Sequence, residues 1–336
     1  MFRVIDLDPQ GKLSVREQVR QVGVPDEGML RWVDLQGDGE SLDLLRDEFC
    51  FHPLAIEDCR VFDQRPKLEE YSDHLFLVTQ SFDAREARGA ADAPAVDAAT
   101  RGEPGLPAGG EPAPRAPGEP GPLIHGAHAP SPGVDRSGRA GSGVQLYELH
   151  AFLGKNYLVT VHSGEIAALE QVWRRVIANP PLLERGVDFV YYLLASRLVE
   201  ANVPILDAVT DELEELEDRV LSTPERRDLS RIFELKRQLV MMRKVLSPQR
   251  DTIVMLARRG DPRVSERSAL YFRDVHDQLV RLNESIEANR DLLSNALDAY
   301  LSAVSNRTNE IMKYLTLLSA VFLPLAFIVG FFGQNF

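Results

Sequence analysis

The chain has 336 residues, enough for two modules with separate cores, and its composition is that of a folded protein with one biased stretch. A formal net charge of -13 argues against nucleic acid as the main partner and makes a cation-attracting surface plausible, although from charge alone plain solubility is the better account. The two cysteines, Cys50 and Cys59, are too few for a disulfide framework and lack the spacing of a zinc site, so both read as reduced thiols.

The opening MFRVIDLDPQ has neither the basic start nor the apolar core of a signal peptide, which assigns the N-terminal part to the cytoplasm. Segments rich in β-branched, aromatic and leucine residues follow at 2–7, 30–35, 74–82, 144–153 and 156–162 and are predicted strands. Short helices are predicted at 41–49 and 53–59 and a longer amphipathic one at 166–178. Together 1–83 and 144–180 make a cytoplasmic mixed α/β domain. Between its halves, 84–143 holds roughly half of the chain's Gly and Pro, with abundant Ala and almost no large apolar residue. Such a segment cannot bury enough surface to offset its ordering entropy, so a disordered insertion is expected, and His125 and His128 within it have no scaffold to make them a metal pair.

From 181 to 314 the pattern is that of an antiparallel helical stalk. A helix is predicted over 187–221, and Ser222-Thr223-Pro224-Glu225 supplies the cap, first-turn proline and early acid that start a second, running through 259. Gly260-Asp261-Pro262 breaks it, and Ser265 can cap a third helix with no further proline until Pro324. From 265 to 332 that helix is about 100 Å long. Its end, LTLLSAVFLPLAFIVGFF at 315–332, carries no charge and is long enough for a transmembrane helix, and Arg307 and Lys313 place its near side in the cytoplasm. A buried core helix is the alternative, but such helices seldom lack a polar face. Acids from Glu200 to Asp218 form a dense run, either a solvated face or a cation-concentrating one.

At 100° per residue, Asp298, Ser305, Asn309, Met312, Thr316, Ser319, Leu323, Ala326 and Gly330 fall within a sector of roughly 100°. In a symmetric ring this face could line a pore, with oxygens from Asp298 and Asn309 and hydrophobic constrictions at Met312 and Leu323; a coiled-coil seam is the competing use of the same stripe. No Cys or His suits a soft metal there, which favours a hard cation. There is no phosphate loop, no Gly-x-Ser-x-Gly and no HExxH, and the seven histidines are scattered, so no enzyme and no organic cofactor is expected.

YFRDVHDQLVRLNE at 271–284, DAYLSAVSNRTNEIMKYLTLL at 298–318, FLPLAFIVGFFGQNF at 322–336, HPLAIEDC at 52–59 and QRPKLEEY at 64–71 resemble, in wording and order, the CorA family of magnesium channels. The resemblance covers nearly all of the chain outside the insertion. It implies a homopentamer in the inner membrane whose cytoplasmic α/β domains form a funnel above a pore-lining first membrane helix. It matches Asp298, Asn309, Met312, Leu315 and Asn335 to pore positions, with Leu323 and Ala326 where the family has methionine and threonine. Its closing Gly-Met-Asn signature corresponds to Gly333, Gln334 and Asn335. Gln334 in the middle position leaves cobalt, nickel and zinc open beside Mg2+. The resemblance further implies that Glu57, Asp58 and Asp274 meet across a subunit boundary and hold regulatory Mg2+; by spacing alone they are surface acids. The family continues past its signature into a second span, so the end at Phe336 suggests truncation, and a non-conducting single-span sensing or assembly partner is the runner-up.

Overall fold

The computed structural model describes residues 2–17, 22–37, 39–83, 145–222, 224–258 and 260–333. Among them, strands β1 (Phe2–Leu7), β2 (Leu13–Glu17), β3 (Leu30–Gln36), β4 (Lys67–Glu70), β5 (His74–Asp83), β6 (Gln145–Gly154) and β7 (Tyr157–His162) form one sheet in the order β2-β1-β3-β7-β6-β5-β4. Pairing is antiparallel except between β3 and β7, where Trp32 lies opposite Leu158. Alternation along each strand sends side chains to two cores. Val4, Val33, Phe76, Phe152 and Val159 pack under α1 (Gly39–Asp47) and α2 (Pro53–Asp58). Ile5, Trp32, Leu77, Ala151 and Leu158 face α3 (Ala167–Ala178) and α5 (Val187–Glu200), which flank the short α4 (Pro181–Glu184).

The expected strands and helices of this domain lie within two residues of their predicted bounds, but β2 and β4 were not anticipated. Both are edge strands, LSVRE and KLEE, without the alternation that a buried face imposes. The insertion expected over 84–143 lies outside the described residues.

Beyond the sheet run α6 (Val203–Ser222), α7 (Arg226–Leu256) and α8 (Glu266–Phe332). The single helix expected over 187–221 is two helices. Asn202 divides them: its buried amide donates to the carbonyls of Leu198 (2.8 Å) and Val199 (3.1 Å), closing α5. The cap of α7 also differs from the expected Ser222-Thr223 pair. Glu225 takes the N-cap in a capping box, its own N–H donating to Asp228 Oδ2 at 2.9 Å, and α7 ends three residues before 259. At the break, Gly260 has φ 119°, a backbone conformation that disfavours other residues. Ser265 caps α8 as expected, accepting from the Ser268 N–H at 3.2 Å.

Phe272, Val275, Leu279, Leu282, Ile286, Asn289, Leu293, Ala296 and Tyr300 are the buried face of α8. Their alternating steps of three and four are a heptad repeat, which packs α8 against its neighbours as a coiled coil does. Within it Asn289 donates to Thr210 Oγ1 of α6 at 2.8 Å, a polar contact that fixes the register.

Sheet and stalk are joined along β5. β4 pairs only with Leu75 to Val78, leaving the rest of that edge without a strand. The Gln80 N–H is taken by Gln249 Oε1 of α7 at 3.0 Å and the Phe82 N–H by Asn202 Oδ1 at 3.1 Å. Ser81 Oγ donates to the Leu198 carbonyl at 2.8 Å, so helices rather than another strand satisfy this edge.

Candidate cation pathway and sensing site

The heptad contacts of α8 stop at Tyr300. Asp298 already faces outward, and Asn309, Met312, Leu315, Leu323 and Ala326 are all exposed along the continuing helix, Leu323 to 75%. Among the described residues nothing on this chain covers α8 from Leu301 onward except for partial burial of Ala303. The stripe from Asp298 to Gly330 is therefore separate from the buried seam, which is used further back and on another side of the helix. The C-terminal part of α8 is long and apolar enough to cross a membrane by length and composition, and none of that window is buried. The stretch covering α5 and α6 also passes that test, but it is mostly buried, as core helices are. Gly333 closes α8, its N–H donating to the Val329 carbonyl at 2.8 Å; Gln334 and Asn335 lie outside the described residues.

The acids at the end of α2 have a different setting. Glu57 is exposed, whereas Asp58 is half-buried and its Oδ2 lies 2.7 Å from Lys67 Nζ. Lys67 also contacts Glu69 Oε1 at 2.6 Å, and Tyr71 Oη donates to Glu69 Oε2 at 3.0 Å. Burial by itself would lower the pKa of the Lys67 ammonium, but the hydrogen bonds to Asp58 and Glu69 outweigh it and the net shift is upward. Burial, reinforced by Glu69, pushes the Tyr71 phenol up to about 12. Neither Lys67 nor Glu69 was anticipated as part of this site, although both stand in the QRPKLEEY segment.

Asp274 lies elsewhere. It is exposed on α8, with Gln278 Nε2 at 3.3 Å, and α8 packs into the core on the far side of the sheet from α2. One chain thus does not bring Asp274 to Glu57 and Asp58, and among the described residues no three His, Cys, Asp or Glu side chains are grouped to hold a metal. The acidic run on α6 is partly neutralised: Glu212 Oε2 pairs with Arg231 Nη2 of α7 at 2.6 Å and Glu215 with Arg219 at 3.7 Å, while Asp207, Asp211, Glu214 and Asp218 stay exposed.

Sequence reasoning also missed a buried polar group beneath α2. Cys59 Sγ lies 3.2 Å from His150 Nδ1, and His150 Nε2 bonds Glu148 Oε1. Glu148 also accepts from the Gln64 N–H at 3.1 Å and from Gln80 Nε2 at 3.1 Å. Burial above all, then the charges of Asp58 and Glu148, holds the Cys59 thiol well above its ordinary pKa, so it stays protonated and inert. The signal was present in β6, where Glu148 and His150 alternate in phase with the core residue Phe152.

Comparison with known proteins agrees with this architecture. The putative metal ion transporter YfjQ of Bacillus subtilis is 28% identical, aligned over 100% of this chain and 88% of its own length. The cobalt/magnesium transport protein CorA of Thermotoga maritima is 27% identical over 91% of this chain and 73% of its own. The complete structure of the CorA magnesium transporter from Methanocaldococcus jannaschii superposes with a TM-score of 0.70 at 22% identity, covering 99% of this chain and 87% of that one, a likeness of fold. The family described as CorA-like Mg2+ transporter protein matches residues 27–99 and 130–336, and the chain belongs to that family of transporters.

Proposed function

We propose that this protein is a subunit of a homo-oligomeric, pentameric channel for divalent cations, Mg2+ foremost, set in the inner membrane with its α/β domain in the cytoplasm. The observation that carries the reading is α8: a single helix packed by heptads to Tyr300 and then, among the described residues, bare, with its polar-to-apolar stripe uncovered. Copies of α8 arranged about an axis would cover that stripe and present lipid with the remaining apolar surface. Asp298 and Asn309 then offer rings of oxygens to a hydrated ion, sparing the dehydration that Mg2+ resists. Met312, Leu315, Leu323 and Ala326 form the apolar lining beyond, and Gly333, Gln334 and Asn335 the outer signature. Gln334 is compatible with cobalt, nickel or zinc as further cargo.

Glu57 and Asp58, with Asp274 across a subunit boundary, serve in this reading as a sensing site whose cation favours the closed ring by its higher affinity for that state. Membrane vesicles from cells producing the protein, loaded with a Mg2+-sensitive dye, test the pathway. Uptake above control vesicles, lowered at least tenfold by Asn309→Leu, is expected. Uptake equal to the control favours a non-conducting sensing or assembly partner instead.

A further inference from the structure

The polar group beneath α2 is continuous from one end of the domain to the stalk. It starts at Cys59, the residue after Asp58, passes through His150 and Glu148 on β6, and crosses to Gln80 on β5, whose N–H is held by Gln249 of α7 at 3.0 Å. Cys59, His150, Glu148, Gln80 and Gln249 are all buried, between 0% and 7% exposed. The surrounding layer is apolar, with the rings of Phe62 and Phe76 at 4.9 and 5.7 Å from the His150 ring. A carboxylate buried in such a layer stabilises a fold poorly, since apolar residues of similar volume commonly do as well or better. It does something apolar packing cannot: hydrogen bonds lose strength steeply with distance and angle, so a shift at one end is resisted along the chain instead of being absorbed by sliding contacts. The far end is placed where it has effect. Gln249 follows Pro248, the one proline inside α7, where a helical hydrogen bond is missing and the helix bends most readily.

We propose that Glu148, His150, Gln80 and Gln249 are positioning residues that transmit displacement of α2 to α7 at Pro248, and so to the α8 helix packed along it. This rests on the reading of α2 as a cation-sensing element. It assigns the buried group a mechanical role that touches no ion.

The test uses the full chain in lipid nanodiscs with Mg2+ as the only added ligand, and two fluorescent labels carried on separate proteins. Exposed Cys50 takes the label beside α2, and buried Cys59 is spared. Ser294→Cys, in a Cys50→Ser background, reports on the exposed side of α8. With the wild-type relay both labels are expected to respond to Mg2+. In Glu148→Met, which removes the acceptor for Gln80 Nε2 and the partner of His150, and in Gln249→Met the Cys50 label should still titrate, while the α8 response falls about fivefold or more. Gln249→Glu, which keeps an acceptor for the Gln80 N–H, should retain the α8 response. Circular dichroism confirms that each variant is folded. If both responses survive at wild-type amplitude, or both disappear together in folded variants, the relay is wrong. If neither label responds with the wild-type relay, the sensing role of α2 fails first and the relay with it.

Discussion

Asp58 already carries an internal cation. Lys67 Nζ lies 2.7 Å from Asp58 Oδ2, so a divalent ion at this carboxylate is left the remaining lone pairs and is opposed by the charge of the ammonium. Lys67→Met removes the competitor, leaving Asp58 without its cation and Glu69 with only the Tyr71 hydroxyl. Without Mg2+ the variant should melt below the wild type, and its rise in melting temperature on adding Mg2+ should be larger. An equal rise in both would show that Lys67 does not gate access to Asp58. His74 makes a second case at this scale. Its ring stacks on Tyr71 at 4.9 Å and lies tilted against Phe51 at 4.6 Å, and burial lowers its pKa below the ordinary 6.5 despite the carboxylate of Asp73. The unfolded chain therefore binds the proton more readily. The stability contributed by the neutral ring is full above pH 6.5 and is lost as pH falls from 6.5 to the lower folded value. Melting curves from pH about 7.5 to about 5.5 should show a shallower loss for His74→Phe than for the wild type.

The elements were legible where burial imposes a period. β1, β3, β5, β6 and β7 each bury side chains, and their alternation or apolar density survives in the sequence; β2 and β4 lie on the edges and keep no such trace. The seam of α8 is equally plain in its steps of three and four. Caps were half legible: Ser265 has a short side chain in the expected place, while at α7 the chain bypasses Ser222 and lets Glu225 and Asp228 satisfy each other's backbone. Asp228 is buried and also lies 3.5 Å from Arg219, so Asp228→Ala should cost about 1–2 kcal/mol, read as a lower denaturation midpoint. A change under a few tenths would mean that water replaces the cap. The acids proposed to sense the cation were recognisable only through wording shared with a family, because their surroundings are assembled from Lys67, Glu69 and, in the proposed ring, another subunit. No periodicity encodes such a convergence.

For the molecule as a whole, the boundary between packed and bare helix falls at Tyr300. A chain ended there keeps every heptad contact of α8 and sheds the run of exposed apolar residues beyond it, so light scattering should find a soluble species of defined mass without detergent. Aggregation would show that the stalk itself needs the membrane segment. The same boundary has a geometric corollary. From Tyr300 to Phe332 the helix is about 48 Å long, and a tilt of about 5° at its root carries the far end sideways by roughly 4 Å. That exceeds the width of a water molecule. In the proposed ring, such levers leaning together would widen or shut an aqueous passage without breaking the helix, and the angular stiffness at the root would help to set how much cation is needed to move them.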